Sequence, residues 1–483
     1  MNKQKPPVVE RVCSKHVFSR QEGFRVSQNS TTPCLLFPGL FDRPLVARFD
    51  QHHGSSDGGA VLLKAADRRL GLTVSLAACL DDRRQSGKIA HEMIELLGQR
   101  IFGIACGYPD ANDAARLADD PIHKLLLGRD PITGPALASQ PTLSRFENGV
   151  DRKALYRMGE VLAERVIEQQ RTRLRGRALQ ITVDLDVTDD PTHGAQQLAF
   201  FHGHYDTWCY LPLLGFVSFD DEPEQYLVAS LLRPGNAPTG VGTIALLRRL
   251  FPRLRSAFRK ARILVRLDGG FASPELFDFL EVQDVDYVVG MPANAVLKRR
   301  IASSIEEVKA LAEASGKSEK LYRTFTYAAK SWSRERRVVA KVENLRVTDK
   351  DPKDNPRFVV TNLPQRAQWI YEQVYCRRGE IENRIKELHH GLEIDRTSCS
   401  RFWANQMRVL LASAAYALLQ EIRRRAAGTS CARAQVSTLR ERLLKLGVRV
   451  VVSVRRVVLH LPASFPYQAT WRRVARQLGA QPG

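Results

Sequence analysis

Ile181-Thr182-Val183-Asp184-Leu185-Asp186-Val187-Thr188 alternates apolar and polar residues without a break. Successive side chains of a strand point to opposite faces. Ile181, Val183, Leu185 and Val187 therefore turn toward a core, and Thr182, Asp184, Asp186 and Thr188 share the other face. Two aspartates in mid-strand are costly, because Asp is depleted in strands and its charge resists burial. A divalent cation removes that cost, and hard oxygen ligands suit Mg²⁺ or Mn²⁺. A solvated strand face is the other reading. An EF-hand loop is excluded: counting from Asp184, the Gly position holds Asp189 and the closing Glu position holds Ala195.

Outward from this strand, strand signals recur at 209–219 and 225–232. A helix follows at about 240–258, a strand at 262–267, a helix from about 274 and a short strand at 287–289. Strands that feed helices and return to strands predict an α/β core. Residues 296–366 break the rhythm with a charged helix at 305–314 and β-rich runs at 321–329, 337–347 and 358–361, the pattern of an insertion. Upstream, 58–172 is mostly helical. There Gln140-Pro141-Thr142 leads into a short helix, either the second helix of a helix-turn-helix or, the favoured reading, a packing helix. Helices resume at about 366–390 and 401–426, and a strand pair near 448–452 and 454–461 precedes a basic helix around 471–478. These shifts divide the chain into a loose arm (1–45), a helical N-terminal region for DNA binding or dimerisation (46–175), the first part of the core (176–295), the insertion (296–366), the returning core helices (367–426) and a basic C-terminal segment (427–483).

Two further acids stand out. Arg262-Ile263-Leu264-Val265-Arg266-Leu267-Asp268-Gly269-Gly270-Phe271 is an apolar strand ending at an aspartate, and strand C-termini of α/β sheets are where ligands bind. Ser273-Pro274 then opens a helix as N-cap and first helical residue. Taken alone, Asp268 is also an ordinary turn residue. In the helix that follows Tyr375, Ile381, Ile385, Leu388 and Leu392 form an apolar stripe, while Tyr375, Arg378, Glu382, Lys386 and His389 share another face. That second face is either a ladder of ion pairs or an acid that reaches a metal beside groups that bind DNA phosphate, Arg as a fork and Tyr as a hydroxyl donor.

Composition narrows the choice. The 483 residues suggest two to four modules. They carry 73 Lys plus Arg against 52 Asp plus Glu, a net charge of +21 and a pI near 9.9. Such an excess predicts a polyanionic partner, nucleic acid first. Residues 421–483 alone hold 13 Lys/Arg and 2 Asp/Glu. No run approaches the roughly 18–20 apolar residues of a membrane span, and the N-terminus lacks the apolar stretch of a signal peptide. The eight cysteines form no C-x-x-C pair, which fits a reduced, cytoplasmic setting better than a zinc ribbon or disulfide scaffold. His193, His202, His204 and Cys209 match no standard zinc spacing and fit a hairpin facing DNA or solvent. A P-loop is absent.

Asp-x-Thr on a strand, Asp-Gly-Gly-Phe after a strand and Tyr-x2-Arg-x3-Glu on a helix together resemble the DDE transposases of bacterial insertion sequences. Tyr375, Arg378 and Glu382 resemble their Y-R-E-K signature. That signature places Lys where this chain has His389, with Lys386 one turn earlier. The phrases Asp190-Pro191-Thr192-His193-Gly194-Ala195-Gln196, Leu232-Arg233-Pro234-Gly235-Asn236, Tyr375-Cys376-Arg377-Arg378-Gly379 and Asn405-Gln406-Met407-Arg408 are similar to the insertion-sequence thirteen-eighty group. The resemblance implies an RNase H-like core, a mixed five-stranded sheet with helices, interrupted by the β-rich insertion. It implies Asp186, Asp268 and Glu382 as catalytic metal ligands for two Mg²⁺ ions that Mn²⁺ can replace, with Asp184 in reserve as first acid. Tyr375, Arg378, Lys386 and His389 are the implied DNA contacts. The implied partners are double-stranded DNA, as terminal inverted repeats and target, and a second copy of the chain; the implied place is the bacterial cytoplasm at the nucleoid. A non-catalytic descendant that only binds DNA, and a metal-dependent nuclease without strand transfer, are the alternatives.

Overall fold

The computed structural model describes residues 34–37, 41–347 and 351–482. Most of the arm expected over 1–45 lies outside them. Cys34–Phe37 and Leu45–Arg48 pair as a short antiparallel ribbon in a unit separate from residues 53–483, which cluster as one compact unit.

That larger unit opens with helices α1 (Val61–Leu70), α2 (Met93–Ala105), α3 (Gln140–Gly149) and α4 (Arg152–Leu174). Strand β1 (Gln180–Val187) then runs antiparallel to β2 (Leu213–Phe219), and β2 to β3 (Tyr226–Leu231). Helix α5 (Thr243–Ala257) returns the chain to β4 (Arg262–Leu267), and α6 (Pro274–Val282) leads to β5 (Asp286–Met291). Both β1 and β5 flank β4 in parallel. The α6 start follows its sequence signal: Pro274 is the first helical residue and Ser273 Oγ accepts from Leu276 N at 3.2 Å.

The expected five-stranded sheet is exceeded. After α7 (Ala302–Ser315), strands β6 (Glu319–Tyr327), β7 (Arg336–Leu345) and β8 (Arg357–Thr361) join the same sheet, in the order β6-β7-β8-β5-β4-β1-β2-β3, with Lys353–Asp354 added beside β7 to make nine strands. The physical reason is that β8 completes the free edge of β5 antiparallel, so that Val288 faces Thr361 and Met291 faces Phe358. The inserted strands thus add to the core sheet instead of building their own.

Helix α8 (Glu380–Leu392) follows a π-helical turn, Ile370–Tyr375, and a tight turn, Cys376–Gly379. Helix α9 (Phe402–Arg425) runs through the body against α1, α2, α4 and β3 and is buried from Phe402 to Arg423 except at Trp403. Its polar residues are consumed by the neighbours they fasten. Gln406 accepts from Leu232 N (2.7 Å) and donates to Ser230 O (3.1 Å), and Asn405 brackets both backbone groups of Cys399. Glu147 of α3 is buried between Arg100 and Arg408. With Leu143 and Phe146 also buried, α3 packs into the helical bundle, the favoured of its two sequence readings. Finally β9 (Val448–Ser453) pairs with β10 (Arg456–His460) on one side and Gly54–Ser55 on the other, ahead of α10 (Gln468–Gln477). Among the described residues no helix is long and apolar enough to cross a membrane, and Cys79, Cys106, Cys209, Cys376, Cys399 and Cys431 are free thiols.

Candidate active site

The two aspartates of β1 have different surroundings despite sharing a face. Asp184 is 1% exposed and stands beside Arg266 in the parallel β1–β4 register. Arg266 grips it through both oxygens, Nε to Oδ1 at 2.8 Å and Nη2 to Oδ2 at 2.7 Å, and Gln225 Nε2 adds a third donor at 3.0 Å. A bidentate guanidinium compensates the buried charge that the alternation signalled, with no cation required. Arg266 also donates Nη1 to the carbonyl of Val374 at 3.2 Å, inside the π-helical turn. The Asp184–Arg266 pair therefore braces the segment that delivers Tyr375 and Arg378.

Asp186, one pleat further along, meets different company. Its Oδ2 accepts from Arg378 Nη1 at 3.0 Å, while Arg378 Nη2 lies 3.8 Å from Glu382 Oε1. Burial pushes the Asp186 carboxyl above the usual range; Arg378 opposes this, and the charge of Asp268 adds to it. Asp268 also acts on Arg378. It ends β4 as the cap of a short Gly269–Phe271 turn, with Oδ1 accepting from Gly270 N at 2.9 Å. Asp186 and Glu382 thus meet at one guanidinium, while Asp268 acts on Asp186 and Arg378 through its charge alone, and the three acids do not form a group whose ligand atoms all lie within 4.8 Å of one another. Asp186 is largely sequestered, and Glu382, with 56% of its side chain accessible, is open to solvent.

The aromatic neighbour is seated by a missing side chain. A Cβ at Gly290 would lie 2.5 Å from Tyr375 Oη, 2.7 Å from Gly269 N and 3.1 Å from the Asp268 carbonyl carbon. Only Gly allows β5 to pass this close to both. Burial pushes the Tyr375 phenol up, so it keeps its proton and remains a donor. Lys386 is exposed with no ion-pair partner among the described residues, whereas His389 is engaged at both nitrogens. Its Nδ1 lies 3.0 Å from Asp395 Oδ2, and its Nε2 lies 3.1 Å from Thr188 Oγ1. The ion-pair ladder that α8 could have carried is reduced to Arg378–Glu382, and the apolar stripe of Ile381, Ile385, Leu388 and Leu392 is buried.

Sequence reasoning missed two groups. Arg233 is buried, which pushes its guanidinium down to about 10. It donates to the carbonyls of Leu211, Pro238, Thr239 and Val241, pinning the loop whose Thr239 lies against Gly270. Only its Arg-Pro-Gly-Asn phrase hinted at it. The second group is Asp57, Cys106 and His123, which are buried and mutually close enough to hold a metal ion. Asp57, however, already accepts from His123 Nε2 at 2.9 Å and Lys445 Nζ at 2.8 Å. Burial pushes the Asp57 carboxyl up, but those two donors more than offset it. Both Asp57 oxygens are thereby engaged, and the cluster fastens residues 388 positions apart. No local spacing announces it. The histidines at 193, 202 and 204 and Cys209 form no metal-capable group among the described residues.

No curated protein matches the chain. Residues 37–482 match the family described as Transposase DDE domain group 1. That span takes in β1, β4 and α8 with Asp186, Asp268 and Glu382, and it covers nearly the whole sequence: the chain belongs to this family of DDE transposases.

Proposed function

We propose that Asp186, Asp268 and Glu382 are the catalytic acids of a cut-and-paste transposase of the insertion-sequence thirteen-eighty group, with an RNase H-like core. The observation that carries this reading is that Asp186 and Glu382 share Arg378, with the charge of Asp268 acting on both Asp186 and Arg378, while Asp184 is consumed by Arg266. The donor set, three carboxylates without a sulfur or imidazole, suits Mg²⁺, with Mn²⁺ as substitute. Two such ions, when bound, supply the electrostatic stabilisation of the attacking and leaving oxygens in an in-line displacement at phosphorus. Asp186, Asp268 and Glu382 would be the residues that hold them.

The remaining residues bind and orient DNA. Arg378 moves its fork from Asp186 to a phosphate, Tyr375 donates its hydroxyl, and Lys386 fills the basic place of the signature. His389, held by Asp395, sets Thr188 and the end of β1. Water attacks at the element's end and frees a 3′-hydroxyl, which then attacks target DNA. The terminal inverted repeats are gripped by the helical N-terminal region and the basic C-terminal segment, in a dimer that pairs two ends, at the bacterial nucleoid.

The test is cleavage of a duplex carrying the inverted repeats that flank the gene. Asp186→Ala, Asp268→Ala and Glu382→Ala should each abolish Mg²⁺-dependent cleavage and joining while leaving end binding within about twofold, since uniform binding and chemistry are separate free energies. Cleavage retained by any one variant removes that residue from the site.

A further inference from the structure

The ribbon β9–β10 is an unusual surface for a folded body. Only its base is covered: Val448 and Val450 are buried where β9 meets Gly54–Ser55, and among the described residues the outer edge of β10 has no partner strand. Beyond that base Val451, Val452 and Val457 are exposed, and Val454 at the tip is fully so. Val452 faces Val457 and Val451 faces Val458 across the ladder, so both faces of the ribbon are apolar. Its charges are all of one kind. Arg449, Arg455 and Arg456 have no ion-pair partner among the described residues, and 448–460 contains no acid.

We propose that this ribbon enters the major groove of duplex DNA, with Arg455 and Arg456 on the phosphates and the valines against base edges. The inference rests on the transposase reading above and deepens it by naming a recognition element. Three points select this occupant. A two-stranded ribbon is one of the two elements the major groove admits. The thymine methyl, an apolar partner for exposed valines, lies in that groove. Arginines flanking the valines complement phosphates, whereas a second copy of the ribbon would bring six arginines together without an acid.

The test uses the full-length protein without divalent metal and a short labelled duplex of randomised sequence, made once with thymine and once with uracil. Anisotropy is read over a range of KCl. Arg455→Ala/Arg456→Ala should weaken binding about tenfold and lower the slope of log K against log salt by roughly two. Val452→Ser/Val454→Ser/Val457→Ser should weaken binding about threefold or more on the thymine duplex and leave the uracil duplex nearly unchanged. Circular dichroism and melting of both variants should match the parent, because the altered side chains face solvent. Unchanged affinity and slope in the arginine variant overturns the proposal, as does an equal valine effect on both duplexes. A variant that instead loses self-association in sedimentation assigns the ribbon to a second copy and also overturns it. If the parent protein binds neither duplex, the DNA reading itself fails, which separates that failure from the ribbon's.

Discussion

Asp184 and Asp186 show how two identical residues, two positions apart, come to do different work. What distinguishes them is the neighbour each one meets: the register puts Arg266 beside Asp184, whereas Arg378 reaches Asp186 from the tight turn before α8, 192 positions away. Arg266→Met should therefore cost about 3–5 kcal/mol, because it strands a buried carboxylate, and denaturant unfolding measures the loss. The same substitution removes the hydrogen bond to Val374, so cleavage should fall further than stability alone explains. Asp190 supports a pH prediction. Burial pushes its carboxyl well above 3.8, and hydrogen bonds from Thr397 only partly oppose that. A carboxyl raised in the fold contributes stability that is fully present below its unfolded value and is lost as pH rises through the folded value. The stability difference between the parent and Asp190→Asn should decline as pH climbs from about 3.8 through that raised value. A flat difference across that range would show that the proton is not held there. The alternation around 181–188 made both aspartates visible, and the helical spacing made Arg378 and Glu382 visible. Arg266 and Asp395 stayed hidden because their importance arises from pairings that no local pattern encodes.

Elements were legible where their own residues decide them. The strand at 262–267, the Ser273-Pro274 helix start and the stripe Ile381, Ile385, Leu388, Leu392 are set by alternation, capping and periodicity, and the fold contains each of them. The inserted strands were recognisable as strands, yet their destination was not, since the pairing of β8 with β5 joins residues about seventy positions apart. The interior of α9 was equally opaque. Asn405, Gln406 and Arg408 are polar in a buried helix, and only their distant partners explain them. At this scale Gly290 is the sharpest probe. Gly290→Ala would drive a methyl group into Tyr375 Oη and the Asp268 turn, costing about 1–3 kcal/mol as overpacking. If the turn yields, Asp268 is displaced, so Mg²⁺-dependent cleavage should drop by at least tenfold while the melting temperature falls only a few degrees. Full activity in a stable Gly290→Ala protein would show that Tyr375 and Asp268 do not depend on this contact.

Across the whole molecule, the N-terminal helices, the sheet and the last sixty residues share one apolar core, and it is closed by contacts that run from one end of the compact unit to the other. Lys445 reaches Asp57, Val448 pairs with Ser55, and the backbone of Leu443 passes so close to Gly59 that a Cβ there would strike its carbonyl oxygen. A chain ending after residue 442 would lose the residues that line this seam. It should show no cooperative melt by calorimetry, where a looser architecture would keep one for residues 53–442. The same closure bears on how the protein is made. On a translating ribosome Asp186, Asp268 and Glu382 emerge before the seam can be sealed, so chains stopped short of residue 443 would carry the proposed catalytic acids without a body able to aim them. Under the proposed function, competence to break DNA would then arrive only once residues 443–448 are in place.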